Sequence, residues 1–538
     1  MVCWFCATRP ERVSGTNQRT SAGGGRASRR SFLADAAMCG LAVICSTRIA
    51  PSITLAAEKG GGDSPPGRGE DLIYRSATEL ARLVRFRSIS SEELVRAHLS
   101  RISEVNPKLN AVCQVDEKGA LAAAREADAA LKRRGEVGKL HGVPVTIKDS
   151  FDTKGMISTG GTEGRRGFVP EKDATVVARL RAAGAIVLGK TNTPELTLSY
   201  DTENLIYGRT HNPYDLAQTP GGSSGGAAAI LAVGGSAMDI GSDTAGSIRI
   251  PAHFCGIAGL KPTFGRVSRA GHILPAGGVA GRRTHVGPMA RFVDDLVLAL
   301  TIISGPDGED PDVATAALEE PGTVVVPALR VGYFTGSGKA RATSEMVQAV
   351  RSATDTLAAA GLKCGQARPP GLDTAAELLG ALNSWDGGEY YQQLLRQYGT
   401  TNLHPQTSHL LQQLRSGGSS GRKYADVLLE WENLRESCLK FMSDFEILIS
   451  PPCSNTAPKP QNSGFLDYSY ASFFNLLGWP AAVVRVGRTS SGLPKGVQIV
   501  GRPWKEHEVL AVALLLEKKL GGWKKDFREA DLIGSGKK

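Results

Sequence analysis

The sequence predicts an α/β fold built on a mixed sheet, and three observations carry that expectation. Short apolar runs rich in Val, Ile and Leu alternate with helix-period segments along most of the chain. The 538 residues are enough for one large α/β domain with a sizeable core. Hydrophobic residues at 41% and charged residues at 22% match ordinary globular usage, which excludes collagen-like, coiled-coil, polytopic membrane and wholly disordered chains.

Residues 1–57 read as a leader and not as part of the fold. Ser28-Arg29-Arg30-Ser31-Phe32-Leu33 is a twin-arginine string, and the apolar run Ala36 to Cys45 after it is too short to span a bilayer as a stable helix. Small residues around Ala56 and Ala57 suit a peptidase. Such a leader predicts an exported, periplasmic or extracellular protein. Residues 58–71, rich in Gly, Pro and Ser, read as a flexible spacer, 72–525 as the main domain and 526–538 as a C-terminal tail. The net charge of +10 would suggest nucleic acid if it were clustered on the fold. Half of it sits in the leader, so no nucleic-acid partner is expected. No later segment is apolar enough for membrane insertion once the leader is removed.

Within the main domain, Ser90 and Glu93 form a capping-box signature for a helix carrying Val95, Leu99 and Ile102, which Asn106-Pro107 should end. A second helix is expected near Ala120 to Arg134, then a strand from Val143 to Ile147. Asp173 should cap a helix ending at Gly184, before a strand from Ala185 to Leu188. A helix from Gly225 to Val233 leads into a strand from Ala237 to Ile240. Further strands are expected at Leu329 to Phe334, Glu446 to Ser450, Ala481 to Val486 and Val497 to Val500, with long helices at Ser344 to Ala360 and Tyr424 to Asp444. Gly305 to Pro321 reads as a linker or lobe boundary. The five cysteines after the leader, Cys113, Cys255, Cys364, Cys438 and Cys453, show no metal-ligand spacing, so buried thiols are expected and neither disulfides nor a metal site.

Glycine is over-represented, at 64 residues, which points to tight turns or backbone packed close to a ligand. Gly184 to Thr191 fits the written pattern of a nucleotide phosphate loop. Here, however, the residues between the glycines are themselves a strand, and Pro194 follows at once. A helix-ending glycine at Gly184 and a strand-end turn at Gly189 is the better reading. Gly222-Ser223-Ser224-Gly225-Gly226 also satisfies G-x-S-x-G, which would make Ser224 a nucleophile, but a turn and not a strand precedes it. Gly417-Gly418-Ser419-Ser420-Gly421 is a look-alike expected in a surface loop.

The third glycine signal is longer. Pro220 to Thr263 reads PGGSSGGAAAILAVGGSAMDIGSDTAGSIRIPAHFCGIAGLKPT and closely resembles the amidase signature family of serine hydrolases. The resemblance continues in HGVPVTIKD at His141 to Asp149, GKTNTPEL at Gly189 to Leu196, GPMARFVDD at Gly287 to Asp295 and GLPKGVQIVGRP at Gly492 to Pro503. It implies the amidase-signature fold, a large mixed and mostly parallel sheet flanked by helices. It also implies hydrolysis of a small-molecule amide with no cofactor or metal. The glutaminase-type component of a tRNA-dependent amidotransferase, or a binding protein on the same scaffold, are the alternatives. The family cuts aliphatic, aryl, peptide C-terminal, oligoamide and fatty-acyl amides, and the choice is expected to lie between Leu318 and Phe445. A homodimer is left open.

Carried over residue by residue, the resemblance makes Lys148 the base, Ser223 a bridging serine in a cis peptide and Ser247 the nucleophile. A lysine acts as a base only when neutral, and the apolar Val143, Val145 and Ile147 around Lys148 suit that. Backbone N–H groups of Thr244, Ala245, Gly246 and Ser247 are expected to hold the oxyanion. Ser224 is expected to help by bonding Lys148 or the turn, Asp243 and Arg249 to pin the loop or form a plain ion pair, and Thr197 to touch substrate. Many relatives carry Gly where this chain has Ala245; alanine would be strained at a positive φ, so a negative φ is expected there, with the methyl trimming the acyl pocket.

Overall fold

The computed structural model describes residues 72–133, 137–417, 423–462 and 464–533. The leader, the spacer and most of the 417–421 look-alike lie outside the described residues. The core element is an eleven-stranded sheet. Its strands are β1 (Val112–Val115), β2 (Pro144–Lys148), β3 (Ile186–Thr191), β4 (Met238–Asp243), β5 (Ala258–Lys261), β6 (His285–Ala290), β7 (Arg330–Tyr333), β8 (Lys363–Gln366), β9 (Ile447–Ser450), β10 (Ala481–Arg488) and β11 (Pro494–Gly501). They lie in the order β1-β3-β2-β4-β6-β5-β10-β11-β9-β7-β8. Parallel pairs form two blocks, β3-β2-β4 on one side and β9-β7-β8 on the other, and the strands between them pair antiparallel.

The strands nearest the site are wholly buried: every residue of β2, β3 and β4 is inaccessible. β2 and the first half of β3 therefore read as largely apolar runs, whereas β4 carries the buried polar side chains of Asp239, Ser242 and Asp243. Helix Gly225–Ala232 is buried all round and packs with Ile186, Leu188 and Met289. Gly226 permits this, because a Cβ there would sit 2.4 Å from the Asn192 nitrogen and 2.6 Å from the Ala111 oxygen.

Four local expectations are corrected. The helix capped by Ser90, whose side chain accepts from the Glu93 N–H at 3.0 Å, runs through Pro107 to Leu109. Proline's fixed φ is helical, so Pro107 is accommodated, and the stop falls at Asn110, with φ +48°. Asp173 caps no helix; it accepts from the Lys154 N–H at 2.7 Å, and the helix occupies Thr175–Ala182, closed by Gly184 at φ +88°. Gly189 is not a turn but lies inside β3, where a Cβ would strike the Gln114 carbonyl of β1 at 2.1 Å. Its neighbour Lys190 is buried and bonded to Thr153 Oγ1 at 2.8 Å, so this stretch forms no phosphate loop. The Gly305–Pro321 segment is strapped down rather than a boundary: Arg269 grips Asp310 at 2.7 Å and Thr175 Oγ1 donates to Asp307 at 2.6 Å. Residues 526–533 also pack on the domain, with Phe527 and Leu532 buried.

Candidate active site

β2, β4 and the loop entering helix Gly225–Ala232 converge on one buried lysine. Lys148, the last residue of β2, is inaccessible to solvent. Its Nζ donates to Ser223 Oγ at 2.7 Å and to Ser242 Oγ at 2.9 Å. No carboxylate ion-pairs with it among the described residues. Burial pushes its pKa down from 10.5 to about 7, against the attraction of Asp243 and Asp239. Ser223 follows a cis Gly222–Ser223 peptide. A Cβ at Gly222 would meet the Ser199 oxygen at 2.6 Å, so only glycine fits against that backbone.

Ser242 is the residue that sequence reasoning missed. It sits on β4, a fully buried strand that also carries Asp239 and Asp243, and polar side chains inside an inaccessible strand were the available signal. Ser242 Oγ also lies 3.0 Å from His272 Nε2. Burial, with the Lys148 charge second, holds the His272 imidazole down at about 3, so it is neutral. His272 therefore touches the lysine's partner and makes no hydrogen bond to Ser247 among the described residues.

Ser247 lies in the turn that follows β4. Its carbonyl accepts from the Ser224 N–H at 3.2 Å, which ties the turn to the Ser223 segment. Ser224 Oγ bonds the Ser242 carbonyl at 3.4 Å and not Lys148, so its contact is with the strand end. Asp243 pins the turn: its carboxylate accepts from the N–H groups of Gly246 at 2.7 Å and Ile248 at 3.1 Å, and pairs with Arg249 at 2.9 Å, both side chains inaccessible. Burial raises the Asp243 carboxyl, but the Arg249 charge and hydrogen bonds outweigh it and hold the group well below the usual range. One expected oxyanion donor is thus already committed, because the Gly246 N–H serves Asp243. That carboxylate takes no N–H from Thr244, Ala245 or Ser247. Positive φ falls on Gly246, at +122°, and not on Ala245, so alanine is accommodated. Ala245 instead receives the Tyr200 hydroxyl on its carbonyl at 2.9 Å.

Ser247, Thr244, Ala245 and Thr197 line one cavity of about 290 Å³. Thr197 holds φ +62°, kept there by its N–H bond to the Pro194 carbonyl at 2.9 Å. The far wall comes from residues between Asn383 and Leu414, inside the stretch where substrate choice was expected. A buried amine bonded to two serine hydroxyls can exchange a proton with them when it is uncharged, and Ser247 opens onto a substrate-sized space.

Comparison with known proteins fits this geometry. A family model described as Amidase matches residues 93–510. The A-type component of the glutamyl-tRNA(Gln) amidotransferase of Anaeromyxobacter sp. (strain K) is 35% identical, covering 83% of this chain and 98% of its own. Fatty-acid amide hydrolase 2-A of Danio rerio is 33% identical, covering 84% and 90%. The solved structure of 6-aminohexanoate cyclic dimer hydrolase complexed with substrate superposes with a TM-score of 0.76 at 30% identity, covering 85% of this chain and 99% of that one.

Proposed function

Because the chain belongs to the amidase family and so hydrolyses amide bonds, we propose that it does so through an acyl-enzyme on Ser247, with Ser223 and Lys148 as the proton relay. The observation that carries this is the buried, unpaired Lys148 amine 2.7 Å from Ser223 Oγ. In the resting state the amine donates to Ser223. When neutral, its lone pair can take the Ser223 hydrogen over the same distance. Ser223 in turn draws the proton from Ser247 as the Ser247 Oγ bonds to the amide carbon and the carbonyl electron pair moves onto oxygen. Backbone N–H groups of Thr244, Ala245 and Ser247, which Asp243 leaves uncommitted, stabilise that oxyanion. Collapse breaks the C–N bond, and the proton held on Lys148 returns through Ser223 to the leaving nitrogen. Water then attacks the ester by the same relay and releases the carboxylate.

Three variants test this. Ser247→Ala abolishes amide turnover and labelling by a serine-directed fluorophosphonate, and Lys148→Ala lowers turnover by at least about a thousandfold. Ser224→Ala keeps measurable activity, since its hydroxyl bonds only a carbonyl. A dead Ser224→Ala beside an active Ser247→Ala would falsify the assignment. The amidotransferase relatives favour a second reading, a glutaminase component that works with partners. Glutamine hydrolysis that appears only on adding partner proteins would establish it. The Arg29-Arg30 pair supports export; replacing both with lysine should leave the protein in the cytoplasmic fraction, and unchanged export would discard the leader.

A further inference from the structure

Arg283 is an exception among the buried arginines. Arg249, Arg266, Arg269 and Arg485 each meet a carboxylate within 3.0 Å, and Arg291 donates to four backbone carbonyls. Arg283 is only 2% exposed, yet it has no carboxylate within ion-pair reach among the described residues. Its one side-chain hydrogen bond there runs from Nη2 to the amide oxygen of Asn383, and its Nε is buried with no partner. Burial disfavours its charged form, as it does for any uncompensated ion.

This guanidinium lines the same cavity as Ser247, and no aspartate or glutamate shares that lining. The other walls are neutral hydroxyl, amide, aromatic and aliphatic groups, with His409 at the edge. A buried charge with unmet donors at the wall of an otherwise uncharged cavity is completed by an anion that the ligand brings, and the planar fork of arginine suits a carboxylate. The cavity of about 290 Å³ has room for a chain that carries such a group beside Ser247. We infer that Arg283 binds a carboxylate on the substrate, so that the preferred substrates are amides carrying a free carboxylate. The inference rests on Ser247 being the nucleophile of this cavity.

The test compares glutaramate, the monoamide of glutarate, with its methyl ester and with valeramide, using the full chain. Wild type should favour glutaramate by about tenfold to a hundredfold in kcat/KM, the range for a hydrogen bond to a charged group. In Arg283→Gln that ratio should fall to near unity, and in Arg283→Lys part of it should return. Glutarate binding to the Ser247→Ala variant, followed by calorimetry, reads the anion site without catalysis and should vanish when Arg283→Gln is added. A wild type that prefers valeramide or the methyl ester, or an Arg283→Gln variant that loses all three substrates equally, overturns the inference. So does a wild type that is labelled by fluorophosphonate while Ser247→Ala binds no glutarate. Glutarate binding through Arg283 in a chain that neither takes the label nor cleaves any amide keeps the anion site and removes the nucleophile assignment instead.

Discussion

Lys148 can accept a proton only when uncharged, so its pKa near 7 places the acid limb of activity in the neutral range. kcat/KM should rise about tenfold per pH unit below that value and level off above it, as for a single required base. A profile flat from about pH 5.5 to 8.5 rules out this base. The same shift has a stability consequence of opposite chemical origin. Between about 7 and 10.5 the unfolded chain holds a proton on this amine that the folded chain has released, so stability rises with pH across that window. Lys148→Met removes that dependence. The unfolding free energy of the variant relative to wild type should therefore fall as pH increases from 7 towards 10, which denaturant titrations at several pH values would record. At this scale Lys148, Ser223 and Ser247, the residues proposed for the relay, could be named from the sequence because their residue types sit in ordered motifs. Ser242 was not, because its role depends on which face of a buried strand meets a lysine from another strand.

Among the elements, helix Gly225–Ala232 shows how packing rather than propensity sets the site. Gly226 near its start brings it against the Ala111 and Asn192 backbone, closer than any side chain allows. Gly226→Ala should destabilise the fold by about 1–3 kcal/mol through overpacking. It should also lower kcat, since the displaced helix begins immediately after Ser223 and Ser224. An unchanged denaturation midpoint would show that the helix has room to move. Element existence was readable from apolar runs, but their ends were not. Pro107 stays helical because its fixed φ is a helical one, and Asp173 was drawn away from its expected cap by the Lys154 backbone. β5, β6 and β8 left little apolar signature: Gly259, Gly287 and Gly365 interrupt them, and their neighbours in the sheet supply what their own residues lack.

For the molecule as a whole, the last described residues act as a clasp. Asp526 pairs at 2.5 Å with Arg485, whose side chain is 3% exposed, and Glu529 pairs at 2.9 Å with Arg101, whose side chain is 5% exposed. Truncation after Lys525 takes the carboxylate from the buried Arg485, leaves the buried Arg101 only its longer pair with Glu104 at 3.5 Å, and uncovers the site of Phe527. Stability should fall by about 3–5 kcal/mol or more, visible as a lower calorimetric Tm; an unaltered Tm would return this segment to the status of a tail. No helix among the described residues is long and apolar enough to cross a membrane. The sequence by itself determined the fold class and the family, and it named the three residues proposed for the relay, because each is written in local pattern or in ordered motif. Only the tertiary structure decided that Gly246 gives its N–H to Asp243, that His272 stops at Ser242, and that Arg283, with no carboxylate partner among the described residues, lines the same cavity as Ser247. Those outcomes depend on strand order, which sets residues tens or hundreds of positions apart side by side, and linear spacing carries no record of that adjacency.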